Sequence, residues 1–181
     1  MRVITGTARG RKLKSLEGRE VHPTTDRVKE AVFSILQWEI SGAAVLDLFA
    51  GSGQLGIEAL SRGAGSCVFV DASARAASVV RENLRATGLM EKATLLTMDS
   101  FSYLKSCRCL FDIILLDPPY HSLLLEQTLP LLSPFLSPRG VVLCETTTDC
   151  SLSQTLGGLT LKKEYRYGKI KLYLYRGEGV E

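Results

Sequence analysis

From residue 43 to 146 the chain alternates short apolar runs with amphipathic segments at helical spacing, an order that few folds accept. Apolar runs at 43–49, 66–71, 93–99, 111–117 and 140–146 read as strands. Helices are expected over about 54–62 and 73–87, with a short helical turn after the third strand. A Leu-rich helix falls within 122–136, where Pro130 and Pro134 end or kink it. Alternation of this kind predicts an α/β fold with a doubly wound, mostly parallel sheet. Residues 159–167 and 170–176 flank Gly168 and read as an antiparallel hairpin filling one sheet edge.

In such sheets the ligand crevice lies outside the carboxyl ends of the strands, so the strand ends carry the chemistry. The fourth run, Ile113 to Leu116, is apolar without a break, as a strand buried on both faces requires. It ends in Asp117-Pro118-Pro119-Tyr120, where the prolines stop the ladder because neither can donate to it. An acid, a rigid turn with bare carbonyls and an aromatic plate suit the gripping of a planar amine. The plainer reading is a buried strand with a proline stop and a capping aromatic, and this tetrapeptide alone does not decide between them.

The first strand runs through Asp47 and Phe49 into Ala50-Gly51-Ser52-Gly53-Gln54-Leu55-Gly56. Its glycines match the G-x-G-x-x-G dinucleotide fingerprint, and Asp71 ends the second strand where an acid would meet ribose hydroxyls. Asp47 argues against a dinucleotide. A carboxylate beside a pyrophosphate is repulsive by several kcal/mol, to order of magnitude, in a half-buried site. S-adenosylmethionine has no phosphate and carries a sulfonium and an ammonium, so the same loop with Asp47 favours that methyl donor. Asp99, at the end of the third strand, stands where an acceptor would reach an adenine amine; its plainer role is to cap the turn before Phe101.

The termini add a charge argument. The net charge is only +3, yet residues 1–30 and 161–176 are both strongly basic around an acidic middle. Basic ends suit a polyanion held between them, or simply solubilise the termini. The first sixteen residues read as a basic hairpin about a glycine turn, with Arg9, Arg11, Lys12 and Lys14 and few large apolar residues. Thr24 or Thr25 is the expected N-cap of a helix whose buried stripe is Val28, Ala31, Val32, Ile35 and Leu36, leaving Arg27 and Lys29 free. The five cysteines form no C-x-x-C pair and fit no common zinc spacing, so no metal is expected. No apolar run approaches the ~20 residues of a membrane span, and no signal-peptide core opens the chain, so a cytoplasmic protein is expected.

Taken together, Asp-Pro-Pro-Tyr and the loop Asp-Leu-Phe-Ala-Gly-Ser-Gly resemble class I methyltransferases acting on exocyclic amines. The opening Met-Arg-Val-Ile-Thr-Gly with Arg-Gly-Arg-Lys-Leu, the segment Pro23-Thr24-Thr25-Asp26-Arg27-Val28-Lys29-Glu30, and Tyr167-Gly168 narrow this to the RsmD family. That family methylates the N2 amine of one guanine in bacterial 16S ribosomal RNA. The resemblance spans nearly the whole chain. It implies a seven-stranded Rossmann-like domain over 41–181 behind an RNA-facing extension, 1–40. It implies S-adenosylmethionine as donor and S-adenosylhomocysteine as product, held by Asp47, Gly51, Gly53, Asp71 and Asp99, with Phe49, Ser52, Ser100 and Asp117 beside them.

On the same resemblance, Asp117, Pro118, Pro119 and Tyr120 hold the guanine amine. Arg9, Arg11, Lys12, Lys14, His22, Thr24, Arg27, Tyr167 and Lys169 face the RNA, presented within an assembling small subunit to a monomeric enzyme. The chain departs from the family pattern at His22, usually arginine, at Gln54, usually a small residue, and at Asp71, commonly glutamate. Two other readings stand beside it: adenine-N6 methylation of DNA or RNA, since the tetrapeptide can hold either amine, and an RNA-binding module with a vestigial donor site.

Overall fold

The computed structural model describes residues 1–16, 25–119 and 123–179. His22, Pro23, Thr24 and Tyr120 lie outside the described residues, and with them their expected roles. The short apolar runs became strands: β1 (Ala44–Asp47), β2 (Ser66–Asp71), β3 (Ala93–Thr97), β4 (Phe111–Leu116) and β5 (Leu136–Thr147). Val45, Leu46, Ile113, Ile114 and Leu115 are fully buried, which is what a central parallel strand covered on both faces demands. Each such side chain stabilises the fold by about 1.5–3 kcal/mol relative to exposure.

Beyond a two-residue β6 (Thr155–Leu156), the chain forms the hairpin β7 (Leu159–Tyr167) and β8 (Ile170–Gly177). The sheet order is β3-β2-β1-β4-β5-β8-β7-β6. The first five strands are mutually parallel, while β8 runs antiparallel to β5 and to β7. Seven of the eight strands are those expected, and β6 is the addition at the edge.

Helices cover both faces. α1 (Asp26–Ile35), α2 (Gln54–Ser61) and α3 (Ala74–Thr87) share one core cluster with β1 and β5 residues, whereas α4 (Ser100–Ser106) and α5 (Leu124–Thr128) pack on the opposite face. The caps are local chemistry: the Thr25 hydroxyl accepts the Val28 N–H at the start of α1, and Ser73 does the same for Ala76 in α3. The Leu-rich helix is shorter than expected. Pro130 and Pro134 each open a separate 3-10 turn, Leu129–Leu131 and Ser133–Phe135, because proline suits a first turn and not a helix interior.

Three expectations about the N-terminal region are corrected. The first sixteen residues form a hairpin-like arm with a single bridge, Arg2 to Lys12, and the arm buries Val3, Ala8 and Leu13 in the same core as α1 and α2. It is thus docked by apolar contacts as well as basic. Lys29 is not free either. It is fully buried, its ammonium 3.9 Å from the Glu58 carboxylate and donating to the Arg2 carbonyl, and burial lowers its pKa. Ile35, expected in the stripe, is only half-buried, and Phe33 takes part in its place.

Candidate active site

Strand register sets the depth of the acids. Asp47 pairs with Phe69 and with Leu115, so Asp71 and Asp117 each lie two residues beyond its row. Asp71 in turn pairs with Thr97, which puts Asp99 two residues further out again. At about 3.3 Å per residue, each step is about 7 Å toward the carboxyl edge. The strand order reverses between β1 and β4, the switch point at which open α/β sheets leave a crevice.

That crevice is a cavity of about 690 Å³. Asp47, Asp71, Asp99 and Asp117 all line it, as do Phe49, Gly51, Ser52 and Ser100, and Pro118 with Pro119. Gly53 is not on its wall; it is the left-handed residue that caps α2, with a φ of 76° that favours glycine. Four carboxylates face the cavity, and among the described residues no lysine, arginine or histidine does.

The amides of the three loop glycines are already taken. Gly51 donates its N–H to Asp71 at 2.8 Å, Gly56 donates to Asp47 at 3.0 Å, and Gly53 donates to the Ala50 carbonyl. A phosphate cradle needs such N–H groups pointing at the ligand. Here the glycine N–H groups are satisfied from within and flanked by acids, so the loop suits a cationic ligand and repels a pyrophosphate.

The acids differ in state. Asp47 is fully buried, and desolvation pushes its carboxyl up to about 7, against the opposing Gly56 hydrogen bond. Asp99 is exposed and caps α4; the Ser102 hydroxyl and N–H hold its carboxyl below the usual carboxylate range. The plainer role expected of Asp99 is therefore real, and it performs it on the cavity wall. Asp71 is half-buried, accepting from Ser73 as well as from Gly51.

A second cavity of about 290 Å³ lies on the other side of Pro118 and Pro119. Leu125 and Glu126 of α5 line it, with Glu145 and Thr146 from the end of β5 and Asp149 beyond. Leu115 pairs with Leu143, so Glu145 stands level with Asp117 on the neighbouring strand.

The expected RNA-facing residues divide. Tyr167 and Lys169 flank the β7–β8 turn, and the Lys169 carbonyl accepts the Thr148 N–H beside the second cavity. Arg9 and Arg11 are exposed at the far end of α2, where Thr7 and Ala8 bond to Ser61. An eight-residue helix separates them from the glycine loop by about 12 Å. Lys12 and Arg27 are exposed, and Lys14 pairs with Glu82.

The structure also supplies residues that the sequence reading missed. Leu16 lines the larger cavity at the end of the arm. Asn83, buried in α3, accepts the Lys14 N–H and donates to the carbonyls of Lys14 and Ser52, clasping arm to glycine loop. A polar residue on the otherwise apolar stripe Ala76, Ala77, Val80 and Leu84 was the readable signal.

A sheet wound this way, with an antiparallel strand slotted in beside its fifth, and with acids ranked along its carboxyl edge, has the Rossmann-like class I methyltransferase architecture. The solved Escherichia coli chain yhhF superposes with a TM-score of 0.87 at 33% identity, covering 98% of both chains. SMU.776, solved complexed with SAH, shares the fold at a TM-score of 0.66 and 19% identity over 78% of this chain and 48% of its own. At the level of family, the model described as conserved hypothetical protein 95 matches residues 1–176, and the chain belongs to this, the RsmD family. Ribosomal RNA small subunit methyltransferase D of Haemophilus influenzae is 38% identical over 181 residues, covering 97% of this chain and 93% of the relative. The protein of the same name from Escherichia coli K12 is 33% identical over 180 residues, covering 98% and 90%.

Proposed function

We propose that this chain transfers a methyl group from S-adenosylmethionine to the N2 amine of a guanine in 16S ribosomal RNA. The observation that carries the proposal is the Pro118–Pro119 turn, which lines both cavities and so stands between a donor site and a base-sized acceptor site. The donor supplies an electrophilic methyl on a sulfonium. The larger cavity fits it because its charged lining is wholly acidic and the glycine amides of its loop are occupied. Asp47 is suited to a cationic group, Asp71 to ribose hydroxyls and Asp99 to the adenine amine, each at its own depth.

An exocyclic base amine is a weak nucleophile because its lone pair is delocalised into the ring. The Asp117 carboxylate and the Pro118 carbonyl each accept one N–H, which pyramidalises the nitrogen and turns its lone pair toward the methyl. Orienting two reactants in this way, with charge placed in advance, lowers the barrier to in-line transfer. Asp117 is also placed to take the released proton. The base enters unpaired or flipped from its helix.

Guanine is favoured over adenine by the lining of the smaller cavity. Glu126, Glu145 and Asp149 are carboxylates, acceptors when ionised. Guanine offers N1–H and N2–H donors on its pairing edge, whereas adenine offers an acceptor at N1. The relatives named ribosomal RNA small subunit methyltransferase D support the RNA assignment. The substrate is read as RNA within an assembling small subunit, met by a monomer in the cytoplasm.

Mass spectrometry of 16S RNA from a deletion strain, with and without the restored gene, tests this. The expected result is one N2-methylguanine that disappears and returns. Loss of an N6-methyladenine instead would reassign the acceptor. Restoration with Asp117→Ala should lower methylation by about 100-fold or more, the scale of losing one positioned polar group; undiminished methylation would reject the role given to Asp117.

A further inference from the structure

Gln54 opens α2 immediately after the glycine loop, lines the larger cavity, and is 7% exposed. Its amide oxygen is buried with no hydrogen-bond partner among the described residues. The other polar side chains singled out around this loop each have at least one partner: Asp47 accepts from Gly56, Asp71 from Gly51 and Ser73, and Asn83 holds three backbone partners. An unsatisfied buried acceptor costs free energy that a folded chain ordinarily avoids. A small residue at this position would remove the cost, so the orphan oxygen marks a group that a ligand satisfies.

We propose that Gln54 is a donor-recognition residue, whose amide oxygen accepts an N–H from the ammonium of the methyl donor's amino-acid end. This rests on the methyl-donor reading of the cavity. The position selects that end of the ligand. Gln54 and Gly56 belong to the same first turn of α2, and Gly56 is the residue that bonds the buried Asp47. Asp71 and Asp99 lie two and four residues further out along the strand rows, where ribose and adenine are assigned. A carboxylate and an amide oxygen together give the ammonium two acceptors at the deep end of the cavity, where water is scarce. A hydrogen bond to a charged group is the stronger kind, which is why the loss should be measurable.

The experiment is calorimetry with two probes on three proteins. S-adenosylhomocysteine carries the ammonium, and 5′-methylthioadenosine lacks the amino-acid end altogether. For Gln54→Leu and Gln54→Met, S-adenosylhomocysteine should bind about tenfold or more weaker than to the wild-type chain. 5′-Methylthioadenosine should bind all three alike. The melting temperature of the ligand-free variants should hold or rise, since the orphan acceptor is gone; a merely structural glutamine would lower it and leave affinity unchanged. Equal binding of S-adenosylhomocysteine by wild type and both variants overturns the proposal. Equal weakening of both probes overturns it too, because the effect would then be one of pocket shape. If the wild-type chain bound no S-adenosylhomocysteine, the methyl-donor reading itself would fall and Gln54's role with it.

Discussion

Two buried carboxylates are tied to α2, Asp47 of β1 through Gly56 in its first turn and Glu58 from its second half; each is 1% exposed, and they have opposite surroundings. Glu58 accepts the N–H groups of Ile4 and Thr5 at 2.8 and 2.9 Å, bonds Arg62 at 2.8 Å, and lies against Lys29. Asp47 has one hydrogen bond among the described residues, from Gly56, and a cavity beside it. A buried charge persists only if something compensates it. At Glu58 the fold compensates in full, and the result is a fastening for the N-terminal arm. At Asp47 the fold stops short and the carboxyl rises toward neutrality; on the proposed function the missing compensation would come from the donor's cationic end. Burial alone does not separate a structural acid from a binding one; the completeness of its partners does.

The largest effect that would sharpen this contrast is at Glu58. Glu58→Ala leaves Lys29 buried without a counter-charge and two backbone donors without an acceptor, a loss of about 3–5 kcal/mol. Chemical denaturation should show it as a lower midpoint with an unchanged slope. A loss below about 1 kcal/mol would mean that Glu58 is not the fastening described.

Asp47→Asn should do the reverse. An amide still accepts from Gly56, so stability near pH 8 should hold or increase, while donor affinity falls by about 10–100-fold, the scale of a hydrogen bond to a charged group. The pH dependence follows from the same residue. Folded Asp47 holds its proton up to about pH 7, whereas the unfolded chain releases it near the ordinary 3.8. Between those values the folded state binds the extra proton, so Asp47 makes stability fall as pH rises through the window and levels off above it. Urea midpoints from pH 4.5 to 8 should trace that slope, and Asp47→Asn should flatten it. A wild-type slope retained in the variant would assign the proton to another group.

Legibility in the sequence followed the same division. The strand-end acids were readable because a parallel sheet fixes where strands end, and one residue type at four such ends is informative. The far end of α2 was not readable, because helical periodicity assigns a charged residue to the solvent face. Lys29 and Glu58 break that rule jointly, and neither alone announces its partner twenty-nine positions away. The arm was misjudged for a similar reason. Val3, Ala8 and Leu13 are spaced at neither period, so their common burial depends on a long-range dock made by the Glu58, Ser61 and Asn83 contacts. Gln54 was visible as an oddity, but its orphaned oxygen is a property of packing.

The smallest expected effect concerns what the Glu58 fastening carries. Arg9 and Arg11 sit on the exposed turn about 12 Å from the glycine loop and are not among the residues lining either cavity. On the proposed function their contribution would be to RNA phosphates, each neutralised phosphate releasing counterions and steepening the salt dependence by about 0.7–0.9 in the logarithmic slope. Arg9→Glu with Arg11→Glu should therefore weaken binding to small ribosomal subunits, reduce that slope by about 1.4–1.8, and leave S-adenosylhomocysteine affinity unchanged. Lys169→Glu, beside the second cavity, should give a change of about one, and should also slow methylation at saturating RNA if its turn borders the entering base. An unchanged slope in the arm variant would make its basic turn a solubilising surface, and the two ends of α2 would then differ in stability alone.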